Sequence, residues 1–342
     1  MYSVTCPTLS TARSSLSRYM SSHAPGYILQ GALWSYRILK PVKGDDTHIS
    51  NVYKAEVVLH ENAPKASHAP QAPKWALIKA ASPSDATTIQ NMDRECQTYR
   101  LPGVVSAECF RKLYDVIDDS TIALEWLDTT LAEVKYQPNR CTYSLIKTVL
   151  KAALTSCVVL EGHQCVNTDY KPANILLSGI YTGHVTAKVG DLGLVVPVGN
   201  LFNAQPYAMR APEVFLGQAC TEPSQVWAVA AMLLCWIKPD VLGVWDCPHY
   251  LVNEAWCMAK IKRLFPEWNI PTPDTVEGHC LKAAVDLQAI LPFYEETQKV
   301  EIVQQLRTLL HFMLVVDPDK RPSASSVLAS REFQAFEELV GV

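Results

Sequence analysis

The chain has 342 residues, enough for one large two-part domain or two ordinary ones, and at 49% hydrophobic residues it can bury a sizeable core. A formal net charge of −4 argues against nucleic acid and against an anionic membrane as partners. Eleven cysteines, an odd number with no C-x-x-C pair, argue against a disulfide framework or a structural zinc site; reduced thiols fit a cytoplasmic or nuclear protein.

Residues 1–29 read as a disordered or weakly ordered tail. The first part lacks Asp and Glu and carries Arg13 and Arg18 among serines, a pattern that also loosely suits a mitochondrial presequence. ALWSYRILKPV (32–42) and NVYKAEVVLH (51–60) read as strands around the polar turn KGDDTHIS (43–50). ENAPKASHAPQAPK (61–74) reads as an exposed loop and WALIKAA (75–81) as a third strand. SDATTIQNMDRECQTYRL (84–101) reads as a helix capped by Ser82 or Ser84. CFRKLYDVID (109–118) and TIALEWLD (121–128) complete five strands. Helical spacing then dominates: YSLIKTVLKAALTSCVVLEG (143–162), the all-apolar VWAVAAMLLCWI (226–237), YLVNEAWCMAKIKRLF (250–265) and EIVQQLRTLLHFML (301–314). The run 226–237 is too short to span a bilayer and suits a helix buried on all sides. NILLSG (174–179) and TAKVGDL (186–192) read as a hairpin, and FPEWNIPTPD (265–274) as a Pro-rich connection. The fold class is therefore α+β, mainly β over 30–126 and mainly α over 127–342, without internal repeats.

VNTDYKPANILL (166–177) places Asp169 two residues before Lys171 and five before Asn174, ahead of an apolar strand. Before it come ALIK, ending in Lys79, and Glu95 within DRECQTY; after it come DLG (Asp191–Gly193) and APE (Ala211–Glu213), with Arg321 in DPDKRPSA. Five motifs in this order, spread over about residues 30–338, resemble the eukaryotic protein kinase family. The resemblance implies a two-lobed fold, a small β-rich N-lobe and a larger α-helical C-lobe. It also implies ATP and Mg²⁺ as cofactors, a protein substrate, and a monomer. It makes Asp169 the catalytic base and puts Lys171 on the γ-phosphate. Lys79, held by Glu95, would meet the α- and β-phosphates, and Val52, Leu77, Glu125, Leu127 and Leu176 would surround the nucleotide. Asn174 and Asp191 would supply hard oxygens to Mg²⁺.

The chain departs from that family's pattern in several places. Asp45, Thr47 and Ser50 stand where a phosphate-covering loop has glycines, whose bare backbone approaches phosphate oxygens; two acids, Asp45 and Asp46, would repel them. Leu77 replaces an alanine beside adenine. Asn167 and Thr168 replace His and Arg before the base, so a phosphate on the following segment has no acceptor. That segment, 193–210, contains no Ser or Thr, only Tyr207. Pro206 replaces a threonine that bonds the base. Gln225 replaces an anchoring aspartate but can still accept one bond. Three readings stay open: a divergent Ser/Thr protein kinase, a pseudokinase serving as an interaction or scaffold module, and a small-molecule kinase on a related fold. The last is opposed by APE with Arg321. YAMRAPEVFLG (207–217) and HYLVNEAWCMAKIKRLFPEW (249–268) most resemble the SR-protein-kinase and cyclin-dependent-kinase branch.

Overall fold

Alternating β-branched and aromatic residues in the first third of the chain favour strands, and longer 3.6-residue periods later favour helices. The computed structural model follows that division and describes residues 23–42, 51–59, 72–82, 84–180, 182–200, 205–271 and 275–341. The phosphate-loop positions 43–50, residues 1–22 of the tail, most of the 61–74 loop, residues 201–204 and residues 272–274 lie outside them. The described residues fall into two compact units, one within the ranges 1–93 and 112–126, the other within 94–111 and 127–342.

The first unit is an antiparallel sheet of β1 (Ile28–Gln30), β2 (Ser35–Pro41), β3 (Asn51–Val58), β4 (Trp75–Ala80), β5 (Leu113–Asp118) and β6 (Thr121–Glu125), in the order β1-β2-β3-β4-β6-β5. The edge strand β1 adds to the five that the sequence suggests, so residues 28 and 29 are strand and not tail. Tyr36, Ile38, Ala55, Ala76, Ile78 and Ala123 are buried together on one face. Buried Asp115 on β5 holds the β1–β2 turn: it accepts N–H bonds from Ala32, Leu33 and Trp34 and the Tyr36 hydroxyl at 2.5 Å. Burial, then this bond, push the Tyr36 phenol far above its ordinary pKa. A side chain at Gly31 would strike Asp115, its Cβ only 2.5 Å from Oδ2.

Helix α1 (Ala86–Tyr99) starts one residue later than a cap at Ser84 would place it and three later than one at Ser82. Its cap is Asp85, whose carboxylate accepts from Thr87 N–H at 3.0 Å and from the Thr88 hydroxyl at 2.6 Å. Ser82 and Ser84 bond each other instead, at 2.9 Å. An acid there also complements the helix dipole.

The second unit holds α2 (Pro102–Ser106), β7 (Thr129–Thr130), α3 (Arg140–Glu161), β8 (Cys165–Asn167), β9 (Ile175–Ser178), β10 (Thr186–Val189), β11 (Val195–Pro197), α4 (Pro212–Phe215), α5 (Glu222–Ile237), α6 (Asn253–Leu264), α7 (Val276–Leu287), α8 (Phe293–Gln298), α9 (Gln304–Met313), α10 (Ala324–Leu328) and α11 (Arg331–Val340). By length and composition α3 could cross a membrane. Its stripe of Ile146, Val149, Leu150, Ala153, Leu154 and Leu160 is instead buried against β10, α5 and α10, as in a core helix. Helix α5 is buried on nearly every side, as its unbroken apolar run predicts. The hairpin of β9 and β10 is also as expected.

Candidate active site

Two short strand pairs deliver the loop that carries Asp169. β8 pairs with β11 before it, and β9 pairs with β10 after it. Both ends of the loop are thereby fixed, and Gly190 N–H donates to Asn174 C=O at 2.9 Å, tying β10 to the loop itself. Gly190 lies tight against the loop, and a Cβ there, 2.6 Å from Leu176 Cδ1, would push that leucine aside. The chain then turns through Asp191 at φ 54, a left-handed conformation costly for a non-glycine residue and concentrated at functional sites.

The arrangement brings Asp169, Lys171 and Asn174 together. Asn174 Nδ2 donates to Asp169 Oδ2 and to the Asp169 carbonyl, both at 2.8 Å. Lys171 Nζ lies 3.4 Å from the same Oδ2. Asp169 is 7% exposed, and burial pushes its carboxyl up to about 6; Lys171 opposes that rise and Asp191 adds to it. Between the two charged residues, the Tyr170 side chain is buried, its hydroxyl 2.7 Å from Ser156 Oγ and accepting the Cys157 thiol at 3.2 Å.

The unusual residues before the base are built in. Gln225 Oε1 accepts the Asn167 N–H at 2.8 Å, the single bond expected of it. Asn167 Oδ1 accepts the Asp169 N–H at 2.9 Å. The amide nitrogens of both side chains, Asn167 Nδ2 and Gln225 Nε2, are buried and find no partner among the described residues. Thr168 is buried and donates its hydroxyl to Leu194 C=O at 2.8 Å. It therefore ties the loop to the turn after DLG. Arg94 on α1 donates to Gly193 C=O at 2.9 Å, a tether with no signal in the sequence. Pro206 has no hydroxyl to give, and the base pairs directly with Lys171.

Asn174 spends its nitrogen on Asp169, which leaves Oδ1 as an acceptor, and Asp191 lies close enough to influence Asp169. Two hard oxygen donors fit Mg²⁺, which keeps several waters and needs few protein ligands. Among the described residues no group of three or more His, Cys, Asp or Glu forms a metal cluster.

The nucleotide candidates are divided between the units. In the first, Lys79 pairs across the sheet with Val52 and Ile122, and Leu77 with Lys54 and Leu124, so Val52, Leu77 and Lys79 share a face. Leu77 is only 8% exposed. Lys54 beside it rides over the rings of Trp75 and Trp126, at 4.7 and 4.3 Å, a contact that no motif announces. Glu125 follows on β6, its Oε2 accepting Lys112 N–H at 3.0 Å. Leu127, buried Glu95 and half-buried Leu176 belong to the second unit.

The APE segment is held by a buried fork. Arg321 donates to both carboxylate oxygens of Glu213 at 2.8 Å, and Ser224 Oγ adds a bond of 2.7 Å. Arg210 stacks over Tyr207 and reaches Glu254 at 3.1 Å.

The protein kinase domain model matches residues 65–333. The stress-activated protein kinase JNK of Drosophila melanogaster is 27% identical over 251 residues, covering 66% of this chain and 62% of that protein.

Proposed function

The chain belongs to the protein kinase family, and we propose that it transfers the γ-phosphate of ATP to a Ser or Thr hydroxyl of a protein substrate. The observation that carries this reading is the fixed Asp169 carboxylate, bonded by Asn174 and paired with Lys171. In the proposed reaction the acceptor oxygen attacks the γ-phosphorus, the bond to the β–γ bridging oxygen breaks, and ADP leaves. Asp169 takes the hydroxyl proton. Lys171 faces the charge that develops on the transferred group. Asn174 and Asp191 would hold Mg²⁺, which neutralises phosphate charge when bound. Lys79, Val52, Leu77, Glu125 and Leu127 would contact the nucleotide, with Leu176 and Glu95. The protein is proposed to act as a monomer in the cytoplasm or nucleus. Its likeness to the SR-protein-kinase and cyclin-dependent-kinase branch rests on the stretches 207–217 and 249–268. The chain spans 62% of the length of the relative it matches, so substrate and regulation are read from this site only.

A second reading, an interaction module with weak or no nucleotide binding, is favoured by Leu77. Packed beside Leu124 on the sheet face, it completes an apolar surface without a base. A calorimetric titration with Mg-ATP, then transfer of labelled phosphate to a mixed protein acceptor, separates the two. Heat and transfer support the kinase; no heat and no thermal shift at millimolar Mg-ATP support the module.

A further inference from the structure

Two cations are buried where β10 meets the stretch that leads into β5. Arg111 is 8% exposed and Lys188 7%, and both belong to the second unit. Neither is among the residues assigned to the nucleotide, the metal or the base. A buried lysine can shed its proton, but an arginine keeps its charge, so Arg111 needs a carboxylate partner to be tolerated there.

The backbone explains how Arg111 comes to this place. Residues 109–111 run along the edge of β10 that β9 leaves open. Val189 N–H donates to Cys109 C=O at 2.7 Å, and Arg111 N–H donates to Val189 C=O at 3.0 Å. Phe110 and Val189 are partners in this parallel pairing, so Arg111 comes level with Gly190 and on the same side. Gly190 has no side chain, and the Arg111 stem and Leu176 take the space: a Cβ at Gly190 would lie 3.8 Å from Arg111 Cδ and 2.6 Å from Leu176 Cδ1. The guanidinium lies beyond Cδ, within reach of Asp191, the next residue in the chain. Asp191 is the residue held left-handed at φ 54, and such a conformation persists only where its surroundings enforce it.

Other cations of this unit around the turn meet different groups. Lys188, opposite Leu176 on β9, lies 3.8 Å from Glu108, whose side chain is 80% exposed, so its charge is turned outward. Lys171 lies against Asp169, and Arg94 donates to Gly193 C=O, beyond Asp191.

We propose that Arg111 is a positioning residue for Asp191: its guanidinium pairs with the Asp191 carboxylate, holds the left-handed turn before any metal arrives, and sets how tightly Mg²⁺ is taken up there. The pairing stands on the geometry; the part played in metal uptake rests on the kinase reading. A fixed positive charge beside the carboxylate orders it in advance but repels an incoming dication.

Thermal melts of Arg111→Gln, Asp191→Asn and the double variant, without metal or nucleotide, test the pairing. Arg111→Gln should melt below the wild type. It should lower the melting temperature much less when Asp191 is already Asn, because both changes remove one interaction. Equal drops in the two backgrounds overturn the proposal. If Arg111→Gln alone fails to fold, adding Asp191→Asn should restore folding by removing the stranded charge, and a double variant that also fails overturns it. Mg²⁺ is then titrated by calorimetry into protein saturated with ADP. Arg111→Gln should take up Mg²⁺ about fivefold or more tightly than the wild type, and Arg111→Lys, which keeps the charge, should resemble the wild type. A fold that is merely weakened does not bind metal more tightly, so the sign separates positioning from support. Unchanged or weaker uptake by Arg111→Gln, or no uptake by the wild type, overturns the proposal. Coupled melts and the expected uptake, with no phosphate transfer to a protein acceptor, keep the positioning role and remove the kinase reading. Phosphate transfer with additive melts does the reverse.

Discussion

Asp169 is bonded through its side chain, its carbonyl and its N–H, so its position is set from three directions. Asp169→Asn should keep this geometry and nucleotide binding while turnover falls by roughly two to four orders of magnitude, the usual contribution of a positioned base. Wild-type turnover in the variant would remove the assignment. Asp191→Asn should act differently, weakening Mg²⁺-dependent nucleotide binding in calorimetry, because it removes a carboxylate from the proposed metal pair. Leu77→Ala tests the crowding of the sheet face. Relief of overpacking is worth about 1–3 kcal/mol, so ATP affinity should rise several-fold. Unchanged affinity would mean that the nucleotide face already accommodates the leucine.

At the scale of elements, the loop before the base is held by α5 through one acceptor, Gln225. Gln225→Met keeps the volume but leaves the buried Asn167 N–H without a partner. The expected loss is about 1–3 kcal/mol, read as a lower urea midpoint; no change would show that another group takes over the bond. For α1, Asp85→Ala should cost about 1 kcal/mol by removing the cap, whereas Ser84→Ala should be near neutral. The reverse order in denaturant titrations would return the cap to the serine. Thr168 gives the element pairing a second meaning. Where the resemblance leads one to expect an arginine that receives a phosphate, this chain has a hydroxyl that joins β8 to the turn after Asp191.

At the scale of the whole molecule, Arg321 joins parts of the chain that local sequence cannot bring together. It bonds Glu213, Pro223 C=O at 2.9 Å and Val315 C=O at 2.7 Å, and its guanidinium lies 5.3 Å from the Trp227 ring centroid. Arg321→Met should cost about 3–5 kcal/mol, because it strands a buried carboxylate. Adding Glu213→Leu should recover much of that loss, since a charge-free pair has nothing left to desolvate. Thermal melts of the single and double variants check this. A double variant as unstable as the single would point to the lost carbonyl bonds, and not to the stranded charge.

The sequence by itself determined the α+β division, the hairpin of β9 and β10, the buried helix α5 and the five ordered motifs. Each of these is a matter of residue period or of spacing along a few neighbouring residues. It did not yield β1, the role of Asp85, the bond from Thr168 to Leu194 or the tether from Arg94 to Gly193. Only the tertiary structure decided those. The donor and acceptor lie 26 residues apart in the Thr168 bond and 99 in the Arg94 bond. Every buried N–H and C=O seeks a partner, but which one it finds depends on the elements packed around it, and periodicity carries no record of that. Thus Asp169 and its neighbours were legible as residue types, while the bonds that hold them still were not.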